Sequence, residues 1–302
     1  MGNFFSKIKT TDSVFSVFWM LTWAACFSTA VSLTKMISDD ISIFTLVFVR
    51  LCFGLILILP AVLNKNYKFQ ISKRLPLHAL RVILTSTAIV CTYYAYKHLP
   101  LAFVTSIGFT GPLVTVLLAI LLLGDKVSLY QWFLVVLGYS GVLIIMHPGE
   151  IEFDIAVVAA LMANLLASTG NILLKKLSAT DSTVQILSHT NIGMLFLVGT
   201  MSIFFWTTPT QSDLFYMCLL GCSGTLSQFC YIQALKIADP STVAPFEYSR
   251  LIFAVPIGYL FFAEIPTLWT FVGSLVIILS NTLLTLYEAN KKKSAKKSTE
   301  KA

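Results

Sequence analysis

Ten near-continuous apolar runs divide the 302-residue chain, at roughly 14–34, 43–63, 78–97, 102–123, 129–146, 154–174, 184–206, 213–235, 242–263 and 267–287. Each is close to the ~20 residues that a helix needs to cross the hydrocarbon core. The runs do not alternate apolar with polar residues, so a lipid-embedded β-barrel does not fit. Apolar residues make up 57% of the chain and charged residues 12%, against about 45–50% and about 25% in soluble domains. A soluble enzyme, a disordered chain and a secreted disulfide scaffold are excluded. The fold class expected is all-α: a polytopic membrane protein with ten transmembrane helices.

The net charge of +7 is distributed as membrane topology requires, with positive charge concentrated on one side. With the N-terminus in the cytoplasm, that side holds Lys7, Lys9, Lys65, Lys68, Lys73, Arg74, Arg81, Lys126, Lys175, Lys176, Lys236 and six lysines between Lys291 and Lys301. Only Lys35 and Lys97 fall outside, and Arg50 and Arg250 lie within spans. Both termini are therefore expected in the cytoplasm of a multi-pass inner (plasma) membrane protein, with a basic tail over 288–302 touching anionic lipid. No basic stripe interleaves with aromatics, so nucleic acid is not an expected partner. The first run is too long for a signal-peptide core and reads as a retained helix. The myristoylation-like start, Met1-Gly2-Asn3-Phe4-Phe5-Ser6, reads as coincidence. Cys26, Cys52, Cys91, Cys218, Cys222 and Cys230 all lie inside apolar runs and form no Cys-x-x-Cys pair. They read as small apolar packing residues.

The chain repeats itself. Residues 95–130 align without a gap on 234–269 at an offset of 139. Ala95 meets Ala234, Lys97 meets Lys236, Val104 meets Val243 and Asp125 meets Glu264. At an offset of 140, Ser28-Thr29 meets Ser168-Thr169, Lys35 meets Lys175 and Ser38 meets Ser178. Two five-helix repeats follow, 14–148 and 149–287, flanked by 1–13 and 288–302. Five is odd, so the second repeat enters the membrane from the opposite side. Inverted repeats of this kind are the sequence signature of secondary transporters, with a site near the midplane between the halves.

Several segments resemble the EamA family of the drug/metabolite transporter superfamily. Arg50 resembles the family's helix-two arginine. Leu123-Gly124-Asp125-Lys126 resembles the L-G-E-R/K end of helix four, with Asp for Glu. Ala263-Glu264-Ile265-Pro266 resembles the G-E-x-P end of helix nine, with Ala for Gly, and Val243–Arg250 resembles the start of that helix. The resemblance covers about 14–287. It implies carriage of a small organic metabolite without ATP hydrolysis, without a bound cofactor and without enzymatic activity. The members most similar include S-adenosylmethionine and riboflavin importers and exporters of amino acids or other metabolites. Substrate is not inherited from fold, and direction of transport and homodimer formation stay open.

Ionised groups at mid-membrane need a partner, a cavity or a job. Arg50 and Arg250 both lie within about 5 Å of the expected midplane at 1.5 Å per helical residue. Arginine forks onto carboxylates and phosphates, so both are candidate substrate-binding residues; the competing reading is structural pairing. Glu247 sits three residues before Arg250, on the same face of the helix expected there. It has three readings: an ion pair with Arg250, a binder of an amino group, or a coupling-proton site. His189 is a second coupling-proton candidate, set against a packed hydrogen-bonding role. Trp23, Tyr94, Asn164 and Gln228 complete the substrate-binding candidates, since aromatic and amide side chains line cavities that stack and orient flat or cationic ligands.

Other classes fit less well. Gly138-Tyr139-Ser140-Gly141 and Gly221-Cys222-Ser223-Gly224 match the G-x-S-G of intramembrane serine proteases, but an inverted ten-span repeat does not suit that fold. Asp39-Asp40 lacks the second acidic pair needed to hold magnesium, and no metal site is expected. A phosphate-binding loop, which an ATP-driven pump would need, is absent from the sequence.

Overall fold

A computed structural model of the chain describes residues 2–62, 72–111, 113–114, 128–146, 154–237 and 244–299. Ten α-helices run in order: α1 Gly2–Leu33, α2 Ile43–Val62, α3 Leu75–His98, α4 Leu101–Gly108, α5 Leu129–Met146, α6 Ile155–Ser178, α7 Thr183–Phe204, α8 Gln211–Ile237, α9 Arg250–Phe262 and α10 Leu268–Thr299. Short 3-10 turns over Thr34–Met36 and Ala244–Ser249 lead into the α1–α2 connection and into α9. No strand occurs among the described residues.

The helices form because lipid offers the backbone no hydrogen-bond partner, so each span must satisfy itself internally. Their starts are set by polar caps. Asp154 accepts from the Ile155 amide at 2.5 Å and Ser182 from the Gln185 amide at 3.1 Å. Thr210 and Asp213 form a reciprocal capping box at the start of α8, with bonds of 3.0 and 3.2 Å. Ala263, at φ 52°, stops α9 in the left-handed region.

Among the described residues six helices are long and apolar enough to cross a membrane, and α5 and α10 carry shorter apolar stretches. The outward faces stay apolar, with Phe133, Phe196, Ile203, Leu260 and Leu268 exposed. The chain is a multi-pass membrane protein. The fourth and ninth spans depart from the sequence expectation. Among the described residues of the expected 102–123 helix, α4 ends at Gly108, Phe109 and Thr110 form a turn, and Gly111, Leu113 and Val114 are helical again; 112 and 115–127 lie outside the described residues. The Leu123–Lys126 motif lies there. Instead of one helix over 242–263, a 3-10 turn carries Glu247, and Arg250 opens α9. At the C-terminal end, α10 continues through the basic segment to Thr299.

Helix packing is nearly unchanged when every helix n is exchanged with n + 5. The pair α1·α8 becomes α6·α3, α2·α8 becomes α7·α3, and α1·α9 becomes α6·α4, all of them observed contacts. The pairs α2·α7, α4·α9 and α5·α10 map onto themselves. The bundle is tied at both ends. At one end Ser38 donates to Asp213 (2.9 Å) and Lys97 to the Ser38 carbonyl (2.7 Å). At the other, Ser72 donates to Asp181 (2.7 Å) and Lys175 to the Leu235 carbonyl (2.9 Å).

The α5–α10 contact is close because glycines face each other. A Cβ on Gly273 would lie 2.5 Å from the Gly141 carbonyl oxygen, and one on Gly141 would lie 2.8 Å from that of Gly273. Backbone cannot yield there as a flexible side chain would. Gly273→Val is expected to lower stability by about 1–3 kcal/mol through overpacking, read as a lower unfolding temperature in detergent. An unchanged unfolding temperature would count against this contact.

Candidate substrate site

The site is organised by two interrupted segments that face each other, the ends of α4 and the 3-10 entry to α9. A broken helix leaves main-chain carbonyls without partners, and in a membrane these must be satisfied by other helices. Asn164 of α6 donates Nδ2 to the Ile107 carbonyl at 3.3 Å and to the Thr110 hydroxyl. Asn281 of α10 donates to the Phe109 carbonyl at 2.6 Å. Ser168 of α6 donates to the Gly111 carbonyl at 3.4 Å, and Ser28 of α1 donates to the Arg250 carbonyl at 3.2 Å. These last two bonds are repeat equivalents, since Ser28 aligns with Ser168 and Arg250 with Gly111.

Arg250 thus stands where the first repeat has a glycine, and its side chain enters an aromatic cage. The guanidinium carbon lies 5.2 Å from the Trp23 ring, 5.3 Å from Phe27 and 5.4 Å from Phe109. Its Nε donates to the Glu247 carbonyl at 3.1 Å. Cation–π contacts reach about 2 kcal/mol when desolvated, and this arginine is only 8% exposed.

The Glu247 carboxylate does not pair with Arg250. Its Oε1 accepts from the Tyr231 hydroxyl at 3.0 Å, and the Tyr231 ring lies 5.2 Å from Trp23. The sequence reading of an ion pair along one helical face is corrected: the 3-10 turn gives Arg250 the Glu247 carbonyl, and α8 takes the carboxylate. The structure therefore gathers Trp23, Glu247 and Arg250. Gln228 is half-buried on α8, three residues before Tyr231. Asn164 faces the broken α4 as a backbone cap. Tyr94 stacks on His98 at 4.3 Å.

Arg50 occupies a separate seam one turn of α3 away. Its guanidinium lies 5.4 Å from the Tyr93 ring, and Tyr96, three residues on, meets Phe27 of the cage at 6.5 Å. Arg50 is 6% exposed and its Nε has no hydrogen-bond partner. Gly221 of α8 admits its backbone: a Cβ there would be 2.5 Å from the Arg50 carbonyl oxygen.

Sequence reasoning did not single out Phe27, Phe109, Ser28 as a carbonyl donor, or Asn281. Phe27 follows Trp23 by one helical turn, and the Ser28–Ser168 match was visible in the repeat. Nothing local marked Phe109 or Asn281.

The profile of the EamA-like transporter family matches this chain twice, over residues 14–147 and 154–286. The chain belongs to the EamA-like transporter family. Among its relatives, an S-adenosylmethionine uptake transporter of Rickettsia prowazekii is 26% identical over 87% of this chain and 90% of its own length. A riboflavin transporter of Vibrio cholerae is 24% identical over 90% and 93%. The pseudopaline exporter CntI of Pseudomonas aeruginosa is 24% identical over 84% and 90%. A protein of known crystal structure superposes with a TM-score of 0.64 at 14% identity, covering 91% of this chain and 98% of that one, and shows the shared fold.

In this EamA-like transporter, the helix-nine acid of the sequence resemblance has a structural task. Glu264 pairs with Lys35 at the end of α1 and accepts from the Leu101 amide, the first of α4, at 2.7 Å. One carboxylate so joins the ends of α1 and α9 to the start of α4, where the helix dipole favours negative charge. Its repeat equivalent, Asp125, lies outside the described residues. His189 is remote from the cage. Its ring faces His78 at 4.8 Å, and its Nδ1 contacts the Gln185 carbonyl at 2.8 Å. His78 Nε2 in turn contacts Asp181 at 2.7 Å. Glu264→Gln is expected to weaken the three-way tie by about 1–3 kcal/mol, the range for stripping a partner from a buried polar group. Thermal unfolding in detergent measures it, and Lys35→Met should lower stability in the same direction.

Proposed function

We propose that the chain is a secondary carrier of a small zwitterionic metabolite with a flat ring, S-adenosylmethionine-like, working by alternating access in the inner membrane. The observation that supports this most directly is the separation of Glu247 from Arg250 within one aromatic cage. Among the described residues no carboxylate pairs with Arg250. Arg250 then takes the substrate carboxylate, Glu247 the amino group, and Trp23 and Tyr231 stack on the ring. The two five-helix repeats sit in opposite orientation with both termini cytoplasmic, as the lysine and arginine distribution requires. Exchanging the packings of the two repeats opens the site to alternate sides. The names of the Rickettsia relatives favour S-adenosylmethionine itself. Those of the Vibrio and Pseudomonas relatives support a second reading, a riboflavin-type importer or a metabolite exporter with the same cage.

Uptake of labelled S-adenosylmethionine by bacteria expressing the chain tests the reading. Saturable uptake is expected in the wild type and its loss in an inserted Arg250→Ala variant. Uptake retained by that variant removes Arg250 from the site. A counterflow panel of amino acids and riboflavin separates the second reading. If Glu247 is also the coupling-proton site, Glu247→Gln flattens the pH dependence of transport; an unchanged profile rejects that role.

A further inference from the structure

The two ends of the bundle are tied by equivalent devices, but among the described residues only at one is a histidine bonded to the tying carboxylate; at the other, exposed His98 lies against Tyr94. At the α3 start, Asp181 of the α6–α7 connection accepts from Ser72 (2.7 Å), from Thr180 (3.0 Å) and from His78 (2.7 Å). His78 is 2% exposed, and its Nδ1 has no hydrogen-bond partner. Its ring lies 4.8 Å from that of His189 on α7. One turn deeper, Arg81 donates to Thr190, the residue after His189. Arg81 is 3% exposed, its Nε is unpaired, and no carboxylate lies within ion-pair distance among the described residues.

The repeat exposes the asymmetry. Each seam buries one arginine: Arg50 of α2 lies against Gly221 of α8, and Arg81 of α3 donates to Thr190 of α7. The tie at that other end rests on Asp213, Ser38 and Thr210, with Lys97 and the Lys35–Glu264 pair beside it. None of those residues is a histidine, the side chain that ordinarily changes charge between about pH 5 and pH 8.

We infer that the His78–His189 pair, with Asp181, is a proton-binding site whose occupation opens the end of the bundle where α3 begins. In the closed seam a proton on either imidazole puts a second full positive charge beside Arg81. Lys175 and Lys176 end α6 nearby, Lys236 ends α8, and Arg74 lies one turn before His78. Asp181 is the one described carboxylate facing this group. Burial pushes the Asp181 carboxyl up, but the bonds from His78, Ser72 and Thr180 together hold it below the usual carboxylate range. It therefore stays charged through the histidine range, and its own contribution to the tie is lost only as pH falls through that lowered range. An opened, hydrated end returns water to the buried imidazolium, the largest effect, and relieves its repulsion from the second histidine and Arg81; together these outweigh the attraction of Asp181, so protons favour it. The consequence for transport rests on the carrier reading; the opening itself does not.

Hydrogen–deuterium exchange on the full chain in lipid nanodiscs tests this between about pH 7.5 and about pH 5.5, the span in which histidine titrates. After correction for intrinsic rates, peptides covering 72–81 and 178–189 are expected to exchange faster at the lower pH. The limit is about tenfold per pH unit for one linked proton. Peptides covering 34–42 and 207–216 should not change. His78→Gln, which can still donate to Asp181, should abolish the response. Persistence of the response in His78→Gln overturns the proposal. So does a wild type in which both ends respond alike or neither responds, a result that needs no variant. A wild type that responds in exchange but transports no substrate would overturn the carrier reading alone.

Discussion

A backbone carbonyl inside a bilayer has no water to turn to, and that constraint organises this protein. It makes each apolar run a helix, and it decides what happens where a helix breaks. At the end of α4 the carbonyls of Ile107, Phe109 and Gly111 accept from Asn164, Asn281 and Ser168 of α6 and α10, and at the entry to α9 the Arg250 carbonyl accepts from Ser28 of α1. These bonds hold two irregular segments face to face at the centre of the bundle. The aromatic cage around Arg250 exists because the break is held there.

The second constraint is charge. Arg50, Arg81 and Arg250 are all buried, and none forms an ion pair with a described carboxylate. Each is accommodated differently: Arg50 over Tyr93 and against the glycines of α8, Arg81 on the Thr190 hydroxyl, Arg250 among three rings. Aromatic faces and hydroxyls solvate a guanidinium without cancelling its charge. Glu264 and Asp213, in contrast, are fully engaged in tying helix ends. Charge left uncancelled in the interior is thus separated from charge spent on the scaffold.

The repeat relates these features without making them identical. Ser28 and Ser168 play the same part in both halves, whereas Arg250 and Gly111 share a position and differ in charge and size. The two arginine seams exchange donors, with Arg50 against Gly221 in one and Arg81 against Thr190 in the other. Among the described residues, one packing pattern therefore places Arg250 of the second half among three rings of the first, and a histidine pair beside Asp181.

Hydropathy period and length were enough to reveal an all-helical membrane protein, because burial in lipid leaves no other way to satisfy a spanning backbone. The offsets of 139 and 140 revealed the two repeats, and the motifs around Arg50 and Glu264 the family. What composition cannot encode is where a helix stops being regular once its neighbours offer side-chain donors. Gly111-Pro112 and Pro245 are residues that interrupt helices, but neither shows that the chain takes a 3-10 turn over Glu247. That turn decided that its carboxylate would meet Tyr231 of α8 and leave Arg250 to Trp23, Phe27 and Phe109. Tyr93 and Tyr94 are adjacent in sequence; the rotation of α3 set the first against Arg50, while the second meets His98 one turn along the same helix. Contacts between residues more than a hundred positions apart depend on the rotation and depth of each helix, which packing fixes and a linear pattern does not.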